Sequence, residues 1–191
     1  MRSWSSFIIL HSAFCILFLL AGCGDVVVKH NTKLDADDLV KMTDQMAAGI
    51  AGDPDVQAAI AQHGTLKVVV QPVVNNMTGE ILPRGQAQIF TGRVRLLLSQ
   101  QPKKQFTWIL NRDYYNELRA TELDDVRGPD PDRVQPEFAL TATFSTLTKV
   151  DAERRSTYYL CTYEMTDLKS GDVLWADKYE LKKIAVKGFL D

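Results

Sequence analysis

Histidine and cysteine are both scarce, three of each among 191 residues, and that scarcity removes whole classes of chemistry. No Cys-x-x-Cys or His-Glu-x-x-His spacing occurs, so the common thiol-redox and zinc arrangements have no ligands to build on. There is no Gly-x-Ser-x-Gly turn for a nucleophile and no glycine-rich phosphate cradle. Positive charge is not in surplus either: 22 Lys+Arg face 24 Asp+Glu, a formal net charge of −2. A nucleic-acid binder normally concentrates a basic excess on one face, so nucleic acid is not an expected partner. We expect no catalytic residues, no cofactor, no metal and no small-molecule substrate.

A long hydrophobic run is also missing. The apolar stretch from Phe7 to Leu20 is interrupted by His11 and Ser12 and falls short of the roughly 20 residues a membrane span needs. With Arg2 ahead of it, it has the form of a secretory signal. It ends in Leu20-Ala21-Gly22-Cys23, the lipobox pattern of bacterial lipoprotein signal peptides. The small residues allow cleavage, and the Cys23 thiol accepts a diacylglyceryl group. Residues 1–22 are therefore expected to be removed, leaving Cys23 as a lipidated N-terminus that ties the chain to a membrane. A multi-chain lipid anchors stably, where a single myristoyl group binds only marginally. Gly24 follows rather than aspartate, which favours the outer membrane over the inner. The expected location is the cell envelope, facing the periplasm.

Removing residues 1–22 takes away Arg2 alone among the charges, so the net charge moves from −2 to −3. Cys15 leaves with the signal and Cys23 carries lipid, so Cys161 remains as the free thiol and no internal disulfide is expected. Cys161 lies in an alternating apolar run, where a buried, inert thiol is the expectation.

Residues 23–34 read as a short tether, reaching at most roughly 35 Å for about ten extended residues. The single domain is expected over 35–187, with a tail at 188–191. Asp35-Ala36-Asp37-Asp38 opens the first helix as an acidic cap, and Leu39, Met42, Met46 and Ile50 form its apolar stripe. A cation site at Asp35, Asp37 and Asp38 is the dearer explanation of the same residues. Gly52-Asp53-Pro54 stops this helix and starts a second, Asp55 to Gln62, ending at Gly64. Leu66 to Val74 reads as one buried strand. Gln86 to Gln100 returns to helical spacing, with Phe90, Val94, Leu97 and Leu98 on one face. A strand is expected at Phe106 to Leu110 and a helix at Asp113 to Leu123. Asp124 to Pro136 is an acidic, Pro-containing loop.

The last third is the most regular. Glu137 to Val150, Thr157 to Leu168 and Val173 to Lys183 alternate, and their links are short and polar. Phe138, Leu140, Ala142 and Phe144 share one face; so do Tyr159, Cys161, Tyr163 and Met165, and so do Trp175, Tyr179 and Leu181. Three such strands make an antiparallel meander. The fold class is α+β: one domain with a mostly antiparallel β-sheet packed against helices.

The remaining candidates have bland readings. His30 on the tether and His63 at a helix end are expected at the surface. Asn76-Met77-Thr78 matches a glycosylation acceptor but says nothing in a bacterial lipoprotein. Arg154 and Arg155, in a hairpin loop, could meet an acidic partner but are expected to be solvated.

The order of lipobox, Asp-rich helix, Val-rich strand, helix, strand, helix and meander resembles the LpoB family of lipoprotein activators of penicillin-binding proteins. The meander carries Tyr158-Tyr159-Leu160, the Asp167-Leu168-Lys169-Ser170-Gly171-Asp172-Val173-Leu174-Trp175 hairpin and a basic exit at Lys182-Lys183. The hairpin is a structural signature, with aspartate and glycine shaping the turn and tryptophan beneath it. The N-terminal domain of TolB has a similar one. The resemblance implies a non-enzymatic activator of peptidoglycan synthesis that binds a bifunctional penicillin-binding protein through its globular domain. The alternative is a structural or assembly lipoprotein of another envelope complex, built on the same fold.

Overall fold

The computed structural model describes residues 25–28, 31–80, 82–101, 104–122 and 133–186. The expected signal segment, Cys23, His30, most of the acidic loop and the C-terminal tail lie outside the described residues.

The first helix, α1 (Ala36–Gly52), begins where the sequence supplies its own cap. Asp35 Oδ1 accepts from Asp38 N at 3.1 Å, and Asp38 Oδ2 accepts from Asp35 N at 2.9 Å. This reciprocal box satisfies donors that a helix N-terminus otherwise leaves open. Leu39, Met42, Met46 and Ile50 are all buried, as their spacing predicts. Asp53 ends α1 and caps α2 (Pro54–His63), accepting from Asp55 N at 2.9 Å and Val56 N at 3.0 Å. Gly64 closes α2 at a φ of +80°, a left-handed turn that glycine takes without a Cβ penalty.

Among the described residues, seven strands form one sheet: β1 (Asp25–Val28), β2 (Leu66–Val70), β3 (Val74–Asn76), β4 (Phe106–Ile109), β5 (Phe138–Val150), β6 (Arg154–Asp167) and β7 (Val173–Val186). Two more helices, α3 (Arg84–Ser99) and α4 (Arg112–Glu122), flank β4 in sequence. The strand order is β1-β7-β6-β5-β2-β4, with β3 also paired to β5. The two long ladders, β5–β6 and β6–β7, are antiparallel and carry most of the paired residues. The shorter pairings of β1 to β7, β2 to β4, and β2 and β3 to β5 are parallel. The architecture is α+β, as the alternation of the last third predicts.

Two elements differ from their sequence reading. The expected strand 66–74 is two strands, because Pro72 has no N–H to give to the ladder. Val70 pairs with Leu140 and Val74 with Thr143, so β5 runs on past a one-residue bulge at Gln71-Pro72-Val73. All of β3 is exposed rather than buried. The segment read as tether is the second case: Asp25–Val28 is an edge strand, in register from Asp25↔Leu181 to Val28↔Ile184.

The core lies between the meander and helices α1 to α3. The three predicted strand faces are all buried, with Cys161, Tyr163 and Met165 fully so. Phe90 of α3 meets Phe144 edge-on at 5.3 Å and stacks on Tyr163 at 6.2 Å, and Tyr163 stacks on Trp175 at 6.5 Å. These offset and edge-to-face arrangements add to plain area burial. A Cβ at Gly49 would lie 3.0 Å from Asp177 Oδ2 and 3.2 Å from Trp175 Cζ2, so glycine there lets α1 press onto β7. The hairpin signature is realised as expected. Asp167 Oδ1 accepts from Lys169 N at 2.7 Å and Ser170 N at 3.1 Å, Gly171 has a φ of +82°, and Trp175 is buried.

The other face of the meander is wet. Thr143 and Ser145 of β5 and Thr162 of β6 are half-buried, while Glu164, Lys178 and Lys182 are exposed. On α4 no residue is buried, and Tyr114 and Leu118 are exposed.

Candidate functional site

The densest polar cluster is a clasp that holds residues 32–38 against the sheet. Lys183 stands in phase with Tyr179 and Leu181 on the core side of β7 and is fully buried. Its Nζ donates to Lys33 O at 2.6 Å, lies 3.1 Å from Asp35 Oδ2 and pairs with Asp38 Oδ2. The capping carboxylates of α1 are thus also the counter-ions of a buried cation. Next to it, the Tyr159 hydroxyl donates to Thr32 O at 2.7 Å. Glu80 Oε2 lies against the same hydroxyl, and Glu80 Oε1 accepts from Leu34 N at 3.1 Å. Burial, with Glu80 second, pushes the Tyr159 phenol well above its ordinary value, so the ring serves here as a hydrogen-bond donor.

The structure therefore keeps the capping role of Asp35 and Asp38 and adds one the sequence reading missed. Asp37 points to solvent as an exposed residue. The alternation carries the signal for Lys183, since positions 179, 181 and 183 share one side; a basic exit by itself names no partner for it. Among the described residues, no group of three or more His, Cys, Asp and Glu is placed to hold a metal ion.

The other singled-out residues do not converge on the clasp. His63 is exposed, its ring edge-on to Phe138 at 6.3 Å. Arg154 and Arg155 are exposed at the β5–β6 hairpin, and Arg154 Nε lies 3.6 Å from Asp151 Oδ2, an exposed pair of small worth.

Cys161 is buried and free, and burial pushes its thiol up to about 12 from 9.0. The unfolded chain therefore releases this proton near pH 9 while the folded one keeps it to about 12. The unfolded state then binds fewer protons, so stability falls as pH rises through that window. Tyr159 and Tyr163, both raised chiefly by burial, act with the same sign from about pH 10 upward. We expect the urea midpoint to drop between about pH 8.5 and about pH 10.5, with Cys161→Ala flattening the lower part of that slope. An unchanged slope in Cys161→Ala would place the titration elsewhere.

The sheet thus has one wet face and one helix-covered face, and the clasp is built of internal ion pairs and hydrogen bonds. The model of the peptidoglycan-synthase activator LpoB family matches residues 38–181, and the chain belongs to that family, named for activating the synthases of the cell envelope. Among solved structures, the chain is similar to the LpoB C-terminal domain from Escherichia coli at 14% identity and a TM-score of 0.43, covering 75% of this chain and 97% of that one. The corresponding Salmonella enterica domain matches at 12% identity and a TM-score of 0.41, with the same coverage. Lipoprotein GNA1162 from Neisseria meningitidis matches at 12% identity and a TM-score of 0.39, covering 66% of this chain and 85% of that one. No curated protein sequence matches the chain.

Proposed function

We propose that this chain is a lipoprotein, cleaved after Gly22 and acylated on Cys23, that stimulates peptidoglycan synthesis without catalysing it. In this reading the domain over 35–187 docks on a bifunctional penicillin-binding protein from the periplasmic face of the outer membrane. The observation that carries it is the family match, which runs from the first turn of α1 into β7, over residues 38–181. The lipobox supplies the anchor and Gly24 the preference for the outer membrane. Activation of this kind requires tighter binding to the more active conformer of the synthase.

The test is capture from envelope extract of the source organism on the detergent-solubilised lipoprotein, followed by a glycan-polymerisation assay. Recovery of a bifunctional penicillin-binding protein, with a faster rate when the lipoprotein is added, supports the reading. Recovery of other envelope proteins alone favours the second reading, a structural or assembly lipoprotein. That second reading gains weight from β1, which takes up chain otherwise available to span a distance. The anchor has its own test: Cys23→Ala should move the protein out of the membrane fraction. Retention there would sink the lipoprotein reading.

A further inference from the structure

Strand β1 begins two residues after Cys23. Gly24 alone separates Cys23 from β1, so the two Cα–Cα steps from Cys23 to Asp25 span at most roughly 7 Å. The entry point is set by register, because Asp25 pairs with Leu181 on the outer side of β7. Beyond β1 the chain is held again, through Thr32 O on Tyr159, Leu34 N on Glu80 and Lys33 O on Lys183. A strand held at both its register and its exit cannot pay out as a leash.

Resting on the reading of Cys23 as the lipid acceptor, we infer that the β1–β7 edge of the sheet lies against the bilayer headgroups and that the β4 edge points away. The corner towards which β1 runs is suited to that contact. Val28 pairs with Ile184, two residues before Val186, and Val186 pairs with Arg154. Val186 and Val150 are 66% and 69% exposed; Val186 stands opposite Arg154 on one face of this end and Val150 opposite Arg155 on the other, and with Lys149 the three cations outnumber Asp151 and Glu153 by one. Exposed aliphatic side chains among cations match the boundary between acyl chains and anionic headgroups. Five inter-strand steps of about 4.8 Å put β4 roughly 24 Å from β1, so the two edges are readily told apart. The consequence for the proposed activity is geometric: a partner must come to within the width of one domain of the anchoring membrane.

The experiment uses the mature, membrane-extracted lipoprotein in vesicles of phosphatidylethanolamine and phosphatidylglycerol containing a headgroup spin-labelled lipid. A small fluorophore is attached at Lys182→Cys on β7 or at Lys104→Cys ahead of β4, both exposed positions; buried Cys161 does not compete for the label. Quenching at least two-fold stronger at 182 than at 104 is the expected result. Equal quenching, or stronger quenching at 104, would overturn the orientation. Mass spectrometry of the N-terminal peptide separates the two ideas. An acylated Cys23 with equal quenching defeats the orientation alone, whereas an unmodified Cys23 defeats the anchor reading and the orientation with it.

Discussion

Lys183→Ala is expected to lower the stability of the domain by about 3 kcal/mol or more, read as a lower urea midpoint at unchanged slope. The cation is fully buried, Asp38 is 5% exposed at its side chain and Asp35 is 37% exposed. Removing the lysine strands two carboxylates and the Lys33 carbonyl around a vacancy in which Asp38 has little water to turn to. Breaking a buried pair from one side costs about 3–5 kcal/mol because the remaining charge is uncompensated; the partial exposure of Asp35 argues for the lower end. The double variant Lys183→Met with Asp38→Asn should recover part of the loss, since it removes the more deeply buried of the two stranded charges and leaves the partly exposed Asp35. A loss below about 1 kcal/mol in Lys183→Ala would mean the cluster behaves as an exposed pair and holds nothing. The same substitution has a local signature: amide exchange in residues 31–38 should speed up by more than global unfolding accounts for.

The parts of this molecule that were legible in its sequence are those whose signals are local and long. In β5, β6 and β7, strict alternation over a dozen residues places every predicted core side chain, from Phe138 to Leu181, inside. The caps of α1 and α2 were legible because an aspartate just ahead of a helix has one cheap use, joined at α2 by Pro54 at the first helical position. What escaped the reading depends on pairings across the whole chain. β1 is four residues that pair with a strand more than 150 positions away, and nothing in Asp25-Val26-Val27-Val28 separates an edge strand from an apolar tether. Lys183 meets Asp35 across 148 positions; from one end it is a basic residue and from the other an acidic cap. The break at Pro72 was visible as a residue, but the β5 register that absorbs it as a bulge was not. Helix α4 shows the converse: its spacing is helical, yet the fold leaves its apolar side chains in solvent.

Phe90→Ala should cost a similar or larger amount, about 3–5 kcal/mol, by a different route. Among the described residues, helix α3 has no side-chain cap at its N-terminus, where Pro83 stands at the cap position; Arg93 ties it to Thr43 and Asp44 of α1, and its apolar face seats it on the meander. That face is Phe90, Val94 and Leu98, each 1% exposed, and Phe90 alone reaches both Phe144 and Tyr163. Truncation removes both ring contacts and leaves a cavity between α3 and the meander that neighbouring side chains fill only in part. Phe90→Leu, which keeps most of the volume, should lose distinctly less; equal losses would show that the ring contacts, lost in both variants, and not the filled volume hold α3. The clasp at Lys183 is untouched in Phe90→Ala, so residues 31–38 should exchange no faster than the rest of the domain. In the lipoprotein reading proposed above, comparing the two variants in the membrane-bound protein then separates stability from geometry. Phe90→Ala should reduce any stimulation of the synthase in proportion to the folded fraction. Lys183→Ala loosens the hold on Lys33 and Asp35 between β1 and α1, and should change stimulation by more than its folded fraction explains if the proposed distance from the membrane sets the encounter.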